Sequence, residues 1–131
     1  MKVALGIGCD RDTPWQTLSD AVAQALSACG LTHAAVDRVA SIDLKSDETG
    51  LLTVVAWNNW PVQFFSAESL ARVPVPNPSE TVRRHTGTPS VAEAAALLAA
   101  GASAEALLIE KHRLRGPDGR NATISIARIP E

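Results

Sequence analysis

The sequence predicts an α/β fold: one three-layer α/β/α domain with a mostly parallel central sheet and an antiparallel strand pair at its C-terminal end. Three observations support this prediction. Short apolar runs alternate with stretches of helical periodicity from residue 2 to residue 101. Two further apolar runs then follow, joined by a glycine- and proline-containing turn at 115–120. A length of 131 residues, 46% of them hydrophobic, is enough for one core.

The first half of the chain reads as two strand–helix units. "KVALGIG" at 2–8 is typical of a buried strand, and "RVASIDL" at 38–44 of a second one. Thr13 is expected to cap the first helix with Pro14 at its first position, and Gly30 to end it. The second helix is expected over 45–60, with Asp47 and Glu48 in its first turn and one apolar face that contains Leu51, Leu52, Val55 and Ala56.

The second half is predicted from shorter patterns. "VQFF" at 62–65 reads as a strand, and Ser66 as the cap of a short helix that reaches about Val73. A proline-rich loop at 74–80 separates this helix from another short one over 80–85. The last elements are a helix over 91–100, capped by Ser90 and ended by Gly101, and two strands over 106–114 and 121–129.

Composition excludes several classes of function. A net charge of −2, a pI of 5.9 and 4% aromatic residues lack the basic excess and stacking surface of a nucleic-acid-binding protein. No apolar run reaches the ~18 residues of a membrane span, and the apolar start is too short for a signal peptide, so we expect a cytoplasmic protein. Cys9 and Cys29 are therefore expected as thiols.

The stretch "LGIGCDRDTPW" at 5–15 resembles a phosphate loop without meeting either consensus. A dinucleotide fingerprint needs a third glycine where Arg11 stands, and a Walker loop needs a Gly-Lys-Ser/Thr end that is absent. Two interpretations remain open. Gly6 and Gly8 expose backbone N–H groups to an anion beside a helix start, or they permit a tight turn under a packed helix.

Two further stretches have alternative interpretations. Lys45, Asp47 and Glu48 either line one edge of a crevice, or the acids only stabilise a helix start while the lysine is solvated. Small polar residues lead into the 91–100 helix, and Ser90 with Glu93 matches a capping box that needs no ligand. The same arrangement also suits an anion site built from Thr86, Gly87, Thr88 and Ser90.

Together, five segments resemble the CobE/CbiG C-terminal family of cobalamin biosynthesis. They are "GIGC" at 6–9, "IDLKSDE" at 42–48, "FFSAESL" at 64–70, "GTPSVAEAAALL" at 87–98 and "NATISIA" at 121–127, of which the fourth is the most specific. The resemblance spans nearly the whole chain. Because no second domain is evident, the chain is expected to be most similar to the short, stand-alone members.

The resemblance implies a protein of vitamin B12 biosynthesis that acts on or binds a precorrin or corrinoid intermediate. Longer relatives are cobalt-precorrin-5A hydrolases, which open a lactone so that a two-carbon fragment leaves as acetaldehyde. A non-catalytic carrier is the alternative, with other enzymes of the pathway as possible partners. A phosphate-ligand protein is the third hypothesis, drawn from the opening loop alone.

The resemblance also suggests roles for the candidate residues. A corrinoid precursor is a flat ring with acetate and propionate carboxylates at its rim, so its site needs several anion contacts. For hydrolysis, Glu48 is the first candidate as general base and Cys9 the second, as a thiolate of lowered pKa near a helix start. No protein-bound metal or cofactor is expected, since His33, His85 and His112 are isolated in sequence. The expected carboxylate contacts are Gly6, Gly8, Arg11, Lys45, Thr86, Gly87, Thr88 and Ser90, with Arg83 or Arg84 as additions.

Overall fold

A computed structural model describes residues 1–76 and 91–130. Its elements follow the alternation that the sequence predicts. Short 3₁₀ turns precede β2, α2 and β4. In chain order the strands and helices are β1 (Val3–Cys9), α1 (Trp15–Ala28), β2 (Val36–Ile42), α2 (Thr49–Trp57), β3 (Val62–Phe65), α3 (Ala67–Ala71), α4 (Val91–Ala100), β4 (Leu107–Arg115) and β5 (Asn121–Arg128).

The five strands form one sheet in the order β3-β2-β1-β5-β4. β1 pairs in parallel with β2, and β2 with β3, whereas β5 runs antiparallel to both β1 and β4. The predicted parallel sheet with an antiparallel C-terminal pair is therefore confirmed. β5 lies between β1 and β4. The C-terminal hairpin therefore extends the sheet on the side of β1 that faces away from β2.

The alternation of side chains along β1 divides the core into two layers. Val3, Leu5 and Ile7 pack with α1 and α2 on one face, while Ala4 packs with α4 on the other. Such alternation is what a strand with both faces covered requires. The predicted three-layer α/β/α arrangement is confirmed.

Gly6 lies directly beneath α4. A Cβ added at Gly6 would lie 1.8 Å from the Ala92 carbonyl oxygen, well inside van der Waals contact. The helix above it is rich in alanine, and these small side chains let its backbone approach the strand closely. Gly6 lies within β1 and not in the tight turn that one interpretation expected, but the packed helix of that interpretation is present and accounts for the glycine.

Two predicted helix starts need correction. Pro14, not Thr13, occupies the N-cap of α1, and the Thr13 hydroxyl donates to the Asp10 carbonyl instead of accepting from the helix. Asp47 and Glu48 precede α2 and so are not in its first turn. A turn of 3₁₀ helix over Asp43–Lys45 delays this helix by several residues.

The start of α3 and the ends of α1 and α4 agree with prediction, whereas α2 ends at Trp57 and α3 at Ala71, before the predicted 60 and 73, and the buried face of α2 also differs. Ser66 accepts from the Ser69 N–H, and Gly30 and Gly101 adopt the positive φ of helix ends. In α2, Val54 is buried where Leu52 and Ala56 were expected. The helix predicted over 80–85 and the Ser90 cap lie outside the described residues.

Candidate functional site

Loops from both halves of the chain meet where β1 to β3 end. We call this region the carboxyl edge: the loops 10–14 and 43–48, the β4–β5 turn 116–120 and the start of α4 at Val91. The β4–β5 turn belongs to it because β5 runs antiparallel to β1. In sheets of this kind, ligands collect at such an edge.

The loop after β1 is fastened to the C-terminal hairpin. Asp10 Oδ2 accepts from the Asn121 backbone N–H at 2.7 Å and from its side-chain amide at 3.1 Å. The Arg120 Nε donates to the Arg11 carbonyl at 2.9 Å. These contacts join residues more than 100 positions apart and hold the loop in one conformation.

Glu48 fastens the same loop from the other side. Its side chain is 2% exposed, and both carboxylate oxygens accept from the Asp12 backbone N–H, at 3.2 and 3.1 Å. Asp12 has a φ of 64°, a left-handed conformation that costs free energy, and surrounding contacts must offset this cost. The predicted general base is thus engaged by the backbone of the loop that it supports.

Arg11 is already surrounded by acceptors. Its Nη1 lies 2.6 Å from Glu48 and 2.8 Å from Asp47, and its Nη2 donates to the Leu44 carbonyl at 3.0 Å. The hydrogen bond from this guanidinium lowers the pKa of Asp47 below its usual range. Arg11 is half-exposed, so part of it faces solvent, but its charge is balanced by its own loop partners.

Cys9 lies at the end of β1 and packs against the core beneath α1. Burial raises the pKa of its thiol to about 11, and the nearby Lys45 charge offsets only part of that effect. The predicted lowering of the Cys9 pKa is therefore wrong. Removal from water favours the neutral thiol more strongly than the neighbouring cation favours the thiolate.

Lys45 differs from Arg11 in its surroundings. It is half-buried, and its charge lowers the pKa of Cys9 at the end of β1, against the larger effect of burial. Within residues 1–76 and 91–130, no carboxylate comes within ion-pair distance of it. Lys45 is thus a cation at the carboxyl edge that its described neighbours leave available.

Not all predicted contacts lie together. Gly8, Cys9, Arg11, Lys45 and Glu48 are gathered at the carboxyl edge, whereas Gly6 is buried under α4. Gly8 is packed less tightly than Gly6, because an added Cβ would make only ordinary van der Waals contact with Val91, whose Cβ would lie 3.9 Å away. The contacts predicted at Arg83, Arg84, Thr86, Gly87, Thr88 and Ser90 lie outside the described residues.

Sequence reasoning missed the contribution of the C-terminal hairpin. Arg113 and Arg115 on β4 are exposed near this edge, and Asn121 at the start of β5 holds the β1 loop. The alternation of apolar and polar residues along β4 could have indicated that the two arginines share one face of the sheet at this edge. This pattern alone does not indicate a binding site, because an arginine on a strand is ordinarily solvated.

A separate groove opens between α3 and the end of α4. Its volume is about 920 Å³, and Arg38, Phe65, Leu97 and Glu105 are among the residues that line it. None of the predicted site residues within the described ranges lines it. Arg38 is already bound to Asp37 and to the Ala99 carbonyl. We place the candidate site at the carboxyl edge because the strand ends lie there, together with Lys45, which has no ion-pair partner among the described residues.

The fold defines a class: three-layer α/β domains, in which ligands commonly collect beyond the carboxyl ends of the parallel strands. Residues 3–127 match the family described as "Cobalamin synthesis G C-terminus". The chain belongs to this family of cobalamin biosynthesis proteins. In the described part of the chain, no helix is both long and apolar enough to cross a membrane.

Curated relatives carry two different names. A cobalt-precorrin-5A hydrolase of Priestia megaterium is 33% identical over 128 residues, which are 98% of this chain but only 32% of that protein. Protein CobE of a Sinorhizobium species is 34% identical over 111 residues, which are 83% of this chain and 71% of that protein. The chain thus spans about a third of the hydrolase and most of CobE.

Solved structures share the fold along the whole chain. CobE, a protein of the cobalamin (vitamin B12) biosynthetic pathway, superposes with a TM-score of 0.72 at 30% identity, covering 99% of this chain and 93% of that one. The cobalamin biosynthesis protein chiG of Agrobacterium tumefaciens gives 0.69 at 32% identity, covering 98% and 99%. The fold predicted from the sequence agrees with both.

Proposed function

We propose that this chain binds a corrinoid precursor at the carboxyl edge and hands it on unchanged. The observation that supports a binding role over a catalytic one is the engagement of Glu48. Its two carboxylate oxygens are occupied by the Asp12 N–H and by Arg11, so the first candidate for general base has no free oxygen facing solvent. The second candidate, Cys9, has a raised pKa and is a neutral thiol near pH 7.

Binding of a carboxylate-rich ring needs cations and an approachable backbone. Lys45 supplies an ammonium without a described carboxylate partner, and the strand backbone at Gly8 is only partly covered, by Val91 at the start of α4. A charge-assisted hydrogen bond to one ligand carboxylate contributes about 1.5–3 kcal/mol, so several such contacts are needed for useful affinity. The ligand class itself comes from the family, whose described role is in cobalamin synthesis.

Lactone hydrolysis is the second candidate function. It is favoured by the 33% identity to a cobalt-precorrin-5A hydrolase across 98% of this chain. In that reaction water would add to the lactone carbonyl carbon, the ring C–O bond would break, and the released oxygen would take up a proton. Glu48 would accept the proton of the water, which requires Arg11 and Asp12 to release its carboxylate first.

One experiment separates the two functions. The purified chain is incubated with cobalt-precorrin-5A, passed through a desalting column, and analysed by visible spectrum, ligand mass and released acetaldehyde. We expect the colour to elute with the protein, an unchanged ligand mass and no acetaldehyde above the buffer control. Acetaldehyde release would support the hydrolase instead, and ligand that elutes entirely free would contradict binding. The full-length Priestia megaterium hydrolase serves as the positive control.

A further inference from the structure

The β1–β2 half of the carboxyl edge carries an excess of negative charge. Only Arg11 and Lys45 are cationic there, and Arg11 is already bound by two carboxylates of its own loops. A ligand rimmed with carboxylates would meet repulsion over most of this half. The acidic residues that produce the excess are Asp10, Asp12, Asp43, Asp47 and Glu48.

The β4 half has the opposite character. Arg113 and Arg115 are exposed, and in the part of the chain that the structure describes neither has a carboxylate within ion-pair distance. Leu114 between them packs against the core beneath α1, so both arginines project from the opposite face of the sheet, where α4 lies. Arg115 reaches towards the β4–β5 turn, since a Cβ at Gly119 would lie 3.5 Å from its Nη2.

The strand register connects this arginine pair to Gly8. Gly8 pairs with Thr123 on β5, and Thr123 pairs with Arg113 on β4, so the three residues form one row across the sheet. The row lies on the α4 face, beside Val91 at the start of that helix. Two strand spacings separate Gly8 from Arg113, roughly 10 Å. The row thus has a small residue at one end, a hydroxyl in the middle and a guanidinium at the other end.

From this arrangement we infer that Arg113 and Arg115 form a second carboxylate-binding subsite, opposite Lys45. The inference rests on the proposed function and extends it. Carboxylates on one side of a macrocycle would bind Lys45, and those on the other side would bind the arginine pair. Guanidinium groups suit this task because each presents two parallel donors to one carboxylate.

The test uses uroporphyrin, a planar tetrapyrrole with eight carboxylates, as a fluorescent probe for the full chain. Binding is titrated for the parent, Lys45→Ala, Arg113→Ala and the double variant Arg113→Ala/Arg115→Ala. Arg128→Ala is the matched control, since it removes an exposed arginine from β5 at the opposite edge of the sheet. Melting temperatures of all variants establish that the fold is retained.

We expect Kd to rise about tenfold for Arg113→Ala and about a hundredfold for the double variant, with Arg128→Ala unchanged. Arg113→Lys should recover part of the affinity, because the charge remains while the two-donor geometry is lost. Coproporphyrin, which has four carboxylates, should show a smaller loss for the double variant than uroporphyrin does.

The outcomes separate this inference from the proposed function. If Lys45→Ala weakens binding while the double arginine variant binds as tightly as the parent, the second subsite is wrong and the proposed function stands. If the parent protein binds no uroporphyrin at all, both are overturned. An equal loss for Arg128→Ala would indicate non-specific charge attraction and would also contradict the subsite.

Discussion

Both oxygens of the buried Glu48 carboxylate face the backbone N–H of Asp12, at 3.2 and 3.1 Å. This relationship ties the loop after β1 to the start of α2, and Arg11 strengthens it from the solvent side. It also gives Glu48 a structural role that is independent of any ligand. The first prediction tests that role.

Glu48→Ala should lower the free energy of unfolding by about 1–3 kcal/mol, because it removes a buried carboxylate that accepts from the Asp12 N–H and pairs with Arg11. Urea unfolding followed by circular dichroism measures the change. Glu68→Ala is the control, since Glu68 forms an exposed ion pair with Arg72 and should change stability little. An unchanged unfolding midpoint for Glu48→Ala would show that the loop does not depend on this carboxylate.

Gly6→Ala and Gly8→Ala should differ sharply, although the two glycines are separated by one residue. A Cβ at Gly6 would overlap the Ala92 carbonyl, and the resulting displacement of α4 should cost about 3 kcal/mol or more. A Cβ at Gly8 meets only ordinary contacts, so the midpoint should remain near that of the parent. Thermal unfolding of the two variants measures the difference, and equal stabilities would contradict the packing described for α4.

Cys9 should react slowly with iodoacetamide near neutral pH, because burial raises the pKa of its thiol to about 11. Mass spectrometry of the Cys9 peptide from native and urea-unfolded protein gives the two rates. A raised folded-state pKa also stabilises the protein below the unfolded value of 9.0, and this contribution is lost as pH rises towards 11. Cys9→Ser should therefore lose less stability than the parent protein between pH 9 and pH 11. Rapid native alkylation would contradict a buried neutral thiol.

Asp47→Asn should lower stability at neutral pH, since the pKa of Asp47 is lowered chiefly by its hydrogen bond from Arg11. A lowered carboxyl pKa stabilises the folded state above the unfolded value of 3.8, and that contribution is lost as pH falls through the folded value. The difference between parent and variant should therefore disappear in acid. Denaturant titrations at neutral and acidic pH measure it, and a difference that persists in acid would require another cause.

Lys45→Ala should weaken binding of a carboxylate-bearing tetrapyrrole about tenfold, the loss of one charge-assisted contact. Its stability should stay close to that of the parent, because in the described structure Lys45 has no ion pair to lose. Fluorescence titration and thermal unfolding give the two quantities. Lys2→Ala, at the opposite end of β1, is the control, and equal affinity for Lys45→Ala and the parent would place the ligand elsewhere.

The sequence by itself determined the elements and their order. Apolar periodicity located β1, α1 and β3, and glycine marked the ends of α1 and α4, because these features depend on residues close in the chain. The alternation of strands with helices then implied a parallel sheet, and the C-terminal turn implied an antiparallel pair. The boundary at Glu48 failed because its side chain binds a distant partner, Asp12, whereas at Thr13 a local hydrogen bond to the Asp10 carbonyl replaced the expected cap.

Only the tertiary structure decided what the candidate residues do. Glu48 and Asp12 are 36 positions apart, and Asp10 and Asn121 are 111 apart, so no local pattern predicts their hydrogen bonds. The pKa of Cys9 rises because the fold removes it from water, an effect that depends on the helix packed above it. Arg113 reaches the carboxyl edge because β5 enters between β1 and β4. The elements depend on local sequence patterns, whereas the site depends on strand order and on contacts between residues far apart in the chain. For this reason the sequence predicted the fold more readily than the site.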